Sequence, residues 1–189
     1  MEKSPVDYVI AGGDYDFVLS DLLDSITRGK IMTGGVWGRI ENKSVKLGEN
    51  ATRTKKYWNS GPVEIKHNLD DLPFVDRDLT KWELYAYENG NYKYRPGTYM
   101  YSGRDCWWGR CTFCVWNFTL YPTGTYRRFS PERLFEEIKY VVDNYGVKEV
   151  FDDAGTFYVG PYLRKFCNLM IESGYNKKVV LGCNMRINA

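Results

Sequence analysis

The sequence predicts an α/β protein, with a parallel (β/α) barrel or sheet over residues 80–189 preceded by a smaller α/β or α+β unit over residues 1–79. Three observations carry this. After residue 96 the pattern runs strand, amphipathic stretch, strand, amphipathic stretch, strand, the β-α-β-α-β order of a parallel sheet with right-handed crossovers. The amphipathic stretches are punctuated as helices, by Ser130-Pro131 and Gly146 for one and by Pro161 and Gly174 for the other. Three cysteines follow directly on the first strand of this run, and loops at the C-terminal ends of parallel strands are where such folds carry their sites.

In chain order, residues 6–11 (VDYVIA) form a short strand ending at Gly12-Gly13. Val18, Leu19, Leu22, Leu23 and Ile26 then recur at helical spacing, and Gly29 stops the helix. The glycine pair lacks the further glycines and the lysine of a phosphate loop, so turn geometry is the reading preferred over anion binding. Residues 31–63 break into short β-like pieces such as GGVWGRI and SVKLG, without a firm period. The single histidine, His67, has no second histidine near it and reads as a surface residue. The run LDDLPFVDRDL (69–79) reads as an extended, solvated connector, which puts the boundary between the units near Pro73–Thr80. Aromatic alternation from Trp82 to Arg95 around Asn89-Gly90 predicts a hairpin, and Gly97–Ser102 predicts the strand that leads into the cysteines. The helix opened by Ser130 carries Leu134, Phe135, Ile138, Val141, Val142 and Tyr145 on one stripe. A strand at Val147–Phe151 ends in Asp152-Asp153-Ala154-Gly155-Thr156, the Pro161 helix sets Leu163, Phe166, Cys167 and Met170 at core spacing, and Val179–Cys183 is the third strand.

Composition narrows the function. Of 189 residues, 43% are hydrophobic and 16% aromatic, enough for a packed core. The net charge is only +2 and the basic residues are scattered, which argues against a nucleic-acid stripe or a polybasic membrane anchor and admits nucleic acid only as a substrate. No apolar run approaches the ~20 residues of a membrane-spanning helix, and MEKSPVD is not a signal peptide, so a cytoplasmic protein is expected. Five cysteines, three of them bunched as Cys106, Cys111 and Cys114, favour a metal or redox site over a disulfide framework.

This C-x4-C-x2-C run supplies three thiolates from one loop, enough to hold an iron–sulfur cluster with one iron left open. Structural zinc needs a fourth ligand, from Cys167, Cys183 or His67, and the two cysteines read as small core residues. Trp107, Trp108 and Trp116 offer either an apolar wall for the site or simple packing.

The segment RDCWWGRCTFC resembles the cluster loop of radical S-adenosylmethionine enzymes, in particular the branch with a cobalamin-binding domain ahead of the barrel. Arg104 and Phe113 stand in matching places, whereas Asp105 stands where glycine is usual and the first gap is four residues instead of three. VDYVIAGGDYD resembles the end of the cobalamin-binding domain, and LDDLPFVDRDL the linker before the barrel. The Asp-x-His-x-x-Gly motif that offers a histidine to cobalt is missing, so cobalamin is not assigned to this chain.

The resemblance implies a 4Fe-4S cluster on Cys106, Cys111 and Cys114, with S-adenosylmethionine on its open iron and a 5′-deoxyadenosyl radical formed by one-electron cleavage to take hydrogen from an unknown small-molecule or peptide substrate. It implies that Asp152 and Asp153 meet the amino group of S-adenosylmethionine, that Gly155 and Thr156 allow close approach, that Arg186 contacts a carboxylate or ribose, and that Phe113 packs near adenine. For Asp152-Asp153 a helix-capping or solvated pair, and for Arg186 a surface salt bridge, are the bland alternatives. An electron donor such as a flavodoxin or ferredoxin is the implied partner. The rival function is a non-catalytic iron–sulfur module, for electron transfer or structure. With 75 residues after Cys114, the chain is also expected to be a fragment of a longer enzyme, holding a partial barrel.

Overall fold

The computed structural model describes residues 4–88, 91–115 and 124–187. They fall into two compact units that divide between His67 and Asn68.

In the first unit, β1 (Tyr8–Ile10) leads through Gly12-Gly13 into α1 (Tyr15–Arg28), followed by β2 (Ile31–Met32), β3 (Val36–Arg39), β4 (Lys46–Leu47), β5 (Thr52–Arg53) and β6 (Tyr57–Asn59). The sheet β1-β3-β6-β5 is antiparallel throughout, so of the two architectures expected for this region the α+β one is realised. Gly38 makes it possible, since a Cβ there would lie 2.2 Å from the indole of Trp58, which crosses β3 to join Val18, Leu22, Met32, Val36 and Val45 in the core. Only Val18 and Leu22 of the expected helix stripe are buried. Gly29, at φ 70, closes α1 as the sequence predicts, donating its N–H to Asp24 and Ser25 carbonyls.

His67 corrects the sequence reading. Its ring stacks on Phe17, centroids 4.1 Å apart and planes within 8°, and its Nδ1 lies 2.9 Å from Oδ2 of Asp14. Asp14 is fully buried, and a buried carboxylate requires a polar partner.

In the second unit, α2 (Glu83–Ala86) precedes β7 (Gly97–Met100) and β8 (Gly103–Arg104), and then come β9 (Arg127–Arg128), α3 (Pro131–Tyr145), β10 (Glu149–Asp152), α4 (Pro161–Glu172) and β11 (Val180–Cys183). The helix α2 stands where a hairpin strand was expected. Its amides bond back to Trp82, whose indole packs edge-on against Tyr145 at 5.0 Å, and Ala86 is buried; the aromatic spacing serves this turn of helix. Asn89-Gly90, the expected turn, lie outside the described residues.

The sheet β11-β10-β7 is parallel, as predicted, and stays open; no barrel closes among the described residues. Its register aligns Met100, Asp152 and Cys183 in one row and Tyr99, Phe151 and Gly182 in the next. Alternation sends Met100, Val150 and Leu181 to the helix side, where they pack with α3 and α4, and Tyr99 and Phe151 to the other face. Ser130 caps α3 by accepting from Arg133 N–H, and Gly146 at φ 65 ends it, both as the sequence predicts. On α4 the buried residues are Tyr162, Phe166 and Met170, four apart; Cys167 is turned off that line and is exposed instead of buried.

Residues 68–79 are largely exposed, as a solvated connector would be, but they are pinned at several points. Leu69 is buried, Asp70 accepts from Ser130 N–H at 2.8 Å, and Arg133 donates to the Leu72 carbonyl at 2.9 Å. Arg77, 4% exposed, donates to Thr98 Oγ1 at 3.0 Å and approaches buried Glu137 at 3.9 Å. These contacts join the stretch to the second unit, twelve residues ahead of the boundary expected between 79 and 80.

Candidate functional site

The cysteine loop leaves the C-terminal end of β7. The chain passes through β8, which pairs antiparallel with β9; a Cβ on Gly103 would meet the Arg127 carbonyl at 2.5 Å, so only glycine permits this approach. Asp105 then adopts φ 69, the left-handed region, while only 1% exposed. This explains its place in the loop: glycine is at ease in that conformation, and aspartate is among the few other residues that visit it. Its Oδ1 accepts from Cys106 N–H at 2.7 Å. Burial raises its pKa, opposed by that hydrogen bond and by Arg127. A second left-handed residue, Gly109 at φ 56, turns the chain back after Trp108, and Cys114 N–H bonds to the Cys111 carbonyl at 3.1 Å to close the two-residue gap.

The loops after β10 and β11 meet this one. Gly155 lies against the first cysteine, so that a Cβ there would stand 2.8 Å from Cys106 Cβ and 3.4 Å from its sulfur. Phe157 N–H bonds to the Asn184 carbonyl at 2.8 Å, and Arg186 N–H to Thr156 Oγ1 at 3.2 Å. Trp107 donates its indole N–H to the Phe157 carbonyl at 3.3 Å. The Arg186 guanidinium lies 3.4 Å from the centroid of Trp108 and 5.7 Å from that of Trp107. Beyond Trp107, Tyr158 stands edge-on at 5.9 Å and in turn stacks on Tyr126, at 5.9 Å and 18°. The hydroxyls of Tyr126 and Tyr162 are buried with no hydrogen-bond partner among the described residues, and burial raises both phenol pKa values.

The acidic pair separates by strand alternation. Asp152 points to the helix side, 1% exposed, and accepts from Ser102 N–H at 2.6 Å and Ser102 Oγ at 2.7 Å. With its oxygens engaged there it serves the fold, and burial raises its pKa against the pull of those bonds. Asp153 points to the opposite face. With Asn91, Tyr99, Tyr101, Phe151 and Asn184 it lines a cavity of about 660 Å³. A carboxylate among aromatic walls and amides suits a ligand that carries an ammonium group.

Of the residues singled out from the sequence, Cys106, Asp153, Gly155 and Arg186 are brought to one edge of the sheet. Asp152 is withdrawn, Arg186 presents its guanidinium to Trp108, and Phe113 is 86% exposed. Among the described residues no three His, Cys, Asp or Glu side chains are gathered as a metal site would need, so Cys106, Cys111 and Cys114 share a loop without converging. Trp116 lies outside the described residues. Ser102, Tyr158 and Asn184 were not singled out: each acts through a partner far away in sequence, and no local pattern marks it.

No family model matches the chain. Over 158 residues, 82% of its length, it is 25% identical to an uncharacterized methyltransferase of Pyrococcus horikoshii, and it spans 30% of that protein. In fold it is similar to the solved structure of the apo cobalamin-dependent S-adenosylmethionine radical enzyme OxsB, with a TM-score of 0.63 and 15% identity, over 99% of this chain and 24% of that one. No helix among the described residues is long and apolar enough to cross a membrane. The chain thus has a mixed α/β fold similar to one segment of that solved structure, and it spans less than a third of either relative.

Proposed function

We propose that this chain carries the cofactor-binding edge of a radical S-adenosylmethionine enzyme, with Cys106, Cys111 and Cys114 as ligands of a 4Fe-4S cluster. The observation that carries the reading is the meeting of Cys106 with Gly155 at the C-terminal edge of a parallel sheet, beside the cavity lined by Asp153. The donor set fits such a cluster by its chemistry: three thiols on one loop, none in a disulfide and each partly exposed. When bound, cluster and S-adenosylmethionine supply one-electron cleavage of a carbon–sulfur bond, the hard chemistry that a protein leaves to its cofactors.

The residues of the chain bind and shield. Asp153 offers a carboxylate to an ammonium group by a charge-assisted hydrogen bond. Gly155 keeps the backbone low beside Cys106, and the row of Trp107, Tyr158 and Tyr126 forms an apolar wall that excludes water from that side. Cobalamin, named for the solved relative, is not extended to this chain, whose only histidine lacks the cobalt-binding motif and bonds to Asp14. The name of the other relative makes methyl transfer the first reaction to assay. Substrate, electron donor and cytoplasmic location stay as the sequence reading has them.

A second reading, an iron–sulfur module without S-adenosylmethionine chemistry, draws on Asp152, Phe113 and Arg186, none of which faces the cavity as a cofactor contact would. Anaerobic reconstitution followed by electron paramagnetic resonance separates the two. The enzyme reading expects the reduced-cluster spectrum to change when S-adenosylmethionine is added; an unchanged spectrum would sink it. Cys111→Ala should abolish the brown colour and Cys167→Ala should keep it, whereas the reverse pattern refutes the ligand set.

A further inference from the structure

The gap between the first two cysteines holds Trp107, Trp108, Gly109 and Arg110. Both indoles reach beyond their own loop, although Arg110 of that loop also lies over the Trp108 ring, at 5.0 Å against 3.4 Å for Arg186. Trp107 donates to the Phe157 carbonyl in the loop after β10, and Trp108 lies under the guanidinium of Arg186 in the segment after β11, with its centroid only 3.4 Å from Cζ. The two indoles stand edge to face, 6.3 Å between centroids, so a shift of one is felt by the other. Arg186 is itself tied to the β10 loop through its N–H to Thr156. The result is a closed circuit from the cysteine loop to the ends of both neighbouring strands.

We infer that Arg186 and Trp108 form a clamp that positions Cys106 on the sheet edge, and that the four-residue gap exists to deliver the tryptophan pair to it. Arg186 is a positioning residue, acting on the first cysteine through Trp108 and Trp107, and not a contact of the cofactor. Gly109 supports the same geometry, since its left-handed backbone lets the chain double back toward Cys111 once Trp108 is docked. A planar guanidinium on an indole face is among the stronger cation–π arrangements, and arginine suits it better than lysine. The inference deepens the proposed function and, for its link to the cluster, rests on it.

The experiment has two arms on the full chain. In the metal-free protein, iodoacetamide labelling of Cys106 is followed by peptide mass spectrometry, with Cys183 as internal control. Trp108→Ala and Arg186→Ala should each speed labelling of Cys106 by about two- to thirtyfold, the range one cation–π contact spans. The double variant should be no faster than the faster single one, because the two side chains act as one unit. Trp108→Phe, which keeps a ring under the guanidinium, should stay within about twofold of the native rate. Native rates in both single variants, effects that multiply in the double variant, or an equal rise at Cys183 would overturn the clamp. In the second arm, chelator extraction of iron from the reconstituted protein should accelerate in the same variants. If the native chain takes up no iron, the cluster reading fails, while the labelling of the metal-free chain still decides the clamp.

Discussion

Two aspartates are held where aspartate is costly, and each gives a measurable consequence. At Asp105 the backbone is left-handed, which penalises a side chain with a branched Cβ by about 1–2 kcal/mol. Asp105→Val is therefore expected to lower the melting temperature by about 3–8 °C in thermal unfolding, while Asp105→Gly stays close to the native value, trading the Cys106 hydrogen bond for an unstrained backbone. At Asp152, burial raises the pKa above 3.8. The folded state thus prefers the protonated acid, a contribution fully present below the unfolded pKa and lost as pH rises through the folded one. Asp152→Asn keeps an acceptor for Ser102 N–H without a charge to bury, so its stability relative to the native chain should improve from pH 4 to pH 7 in parallel melts; a pH-independent difference would show that the Ser102 bonds offset the burial completely. The sequence marked both positions but could not sort their roles. Whether an acid at a strand end faces helices or the open face depends on register, which is set by strands up to fifty residues away.

At the scale of elements, legibility followed locality. The bounds of helix α3 and most of its buried stripe could be read, because its cap, its proline and its closing glycine act within a turn of their own positions; buried Glu137 could not. The 68–79 segment could not, because what orders it is distant: Ser130 for Asp70, Thr98 and Glu137 for Arg77. A run rich in Asp and Pro looks the same whether its charges meet water or buried partners. Glu137 is the hinge of this arrangement, 6% exposed and bonded to Arg133 at 2.8 Å with Arg77 beyond it. Truncation leaves Arg77 buried without its counter-charge, so Glu137→Ala should cost about 3–5 kcal/mol in denaturant unfolding, the range for breaking a buried pair from one side. Glu137→Gln keeps hydrogen-bonding reach and should lose less. Equal losses would assign the effect to packing alone.

For the whole molecule, the fold class and the parallel order of the last three strands were legible because they follow from a repeated pattern over some ninety residues. The cysteine loop was legible as a site for the same reason that it is chemically distinct: thiols at short spacing are rare by chance. Hidden from the sequence was how it is held, by tryptophans that read equally well as core and by an arginine that read as a cofactor contact. The far end of the sheet adds a last point. Glu149, buried at the start of β10, accepts the backbone N–H groups of both Lys93 and Tyr94, at 2.8 and 2.7 Å, and Tyr92 packs against Gly97, where a Cβ would stand 2.3 Å from its ring. One carboxylate thus ties the segment before β7 to the N-terminal end of the parallel sheet, the end opposite the one from which the cysteine loop departs.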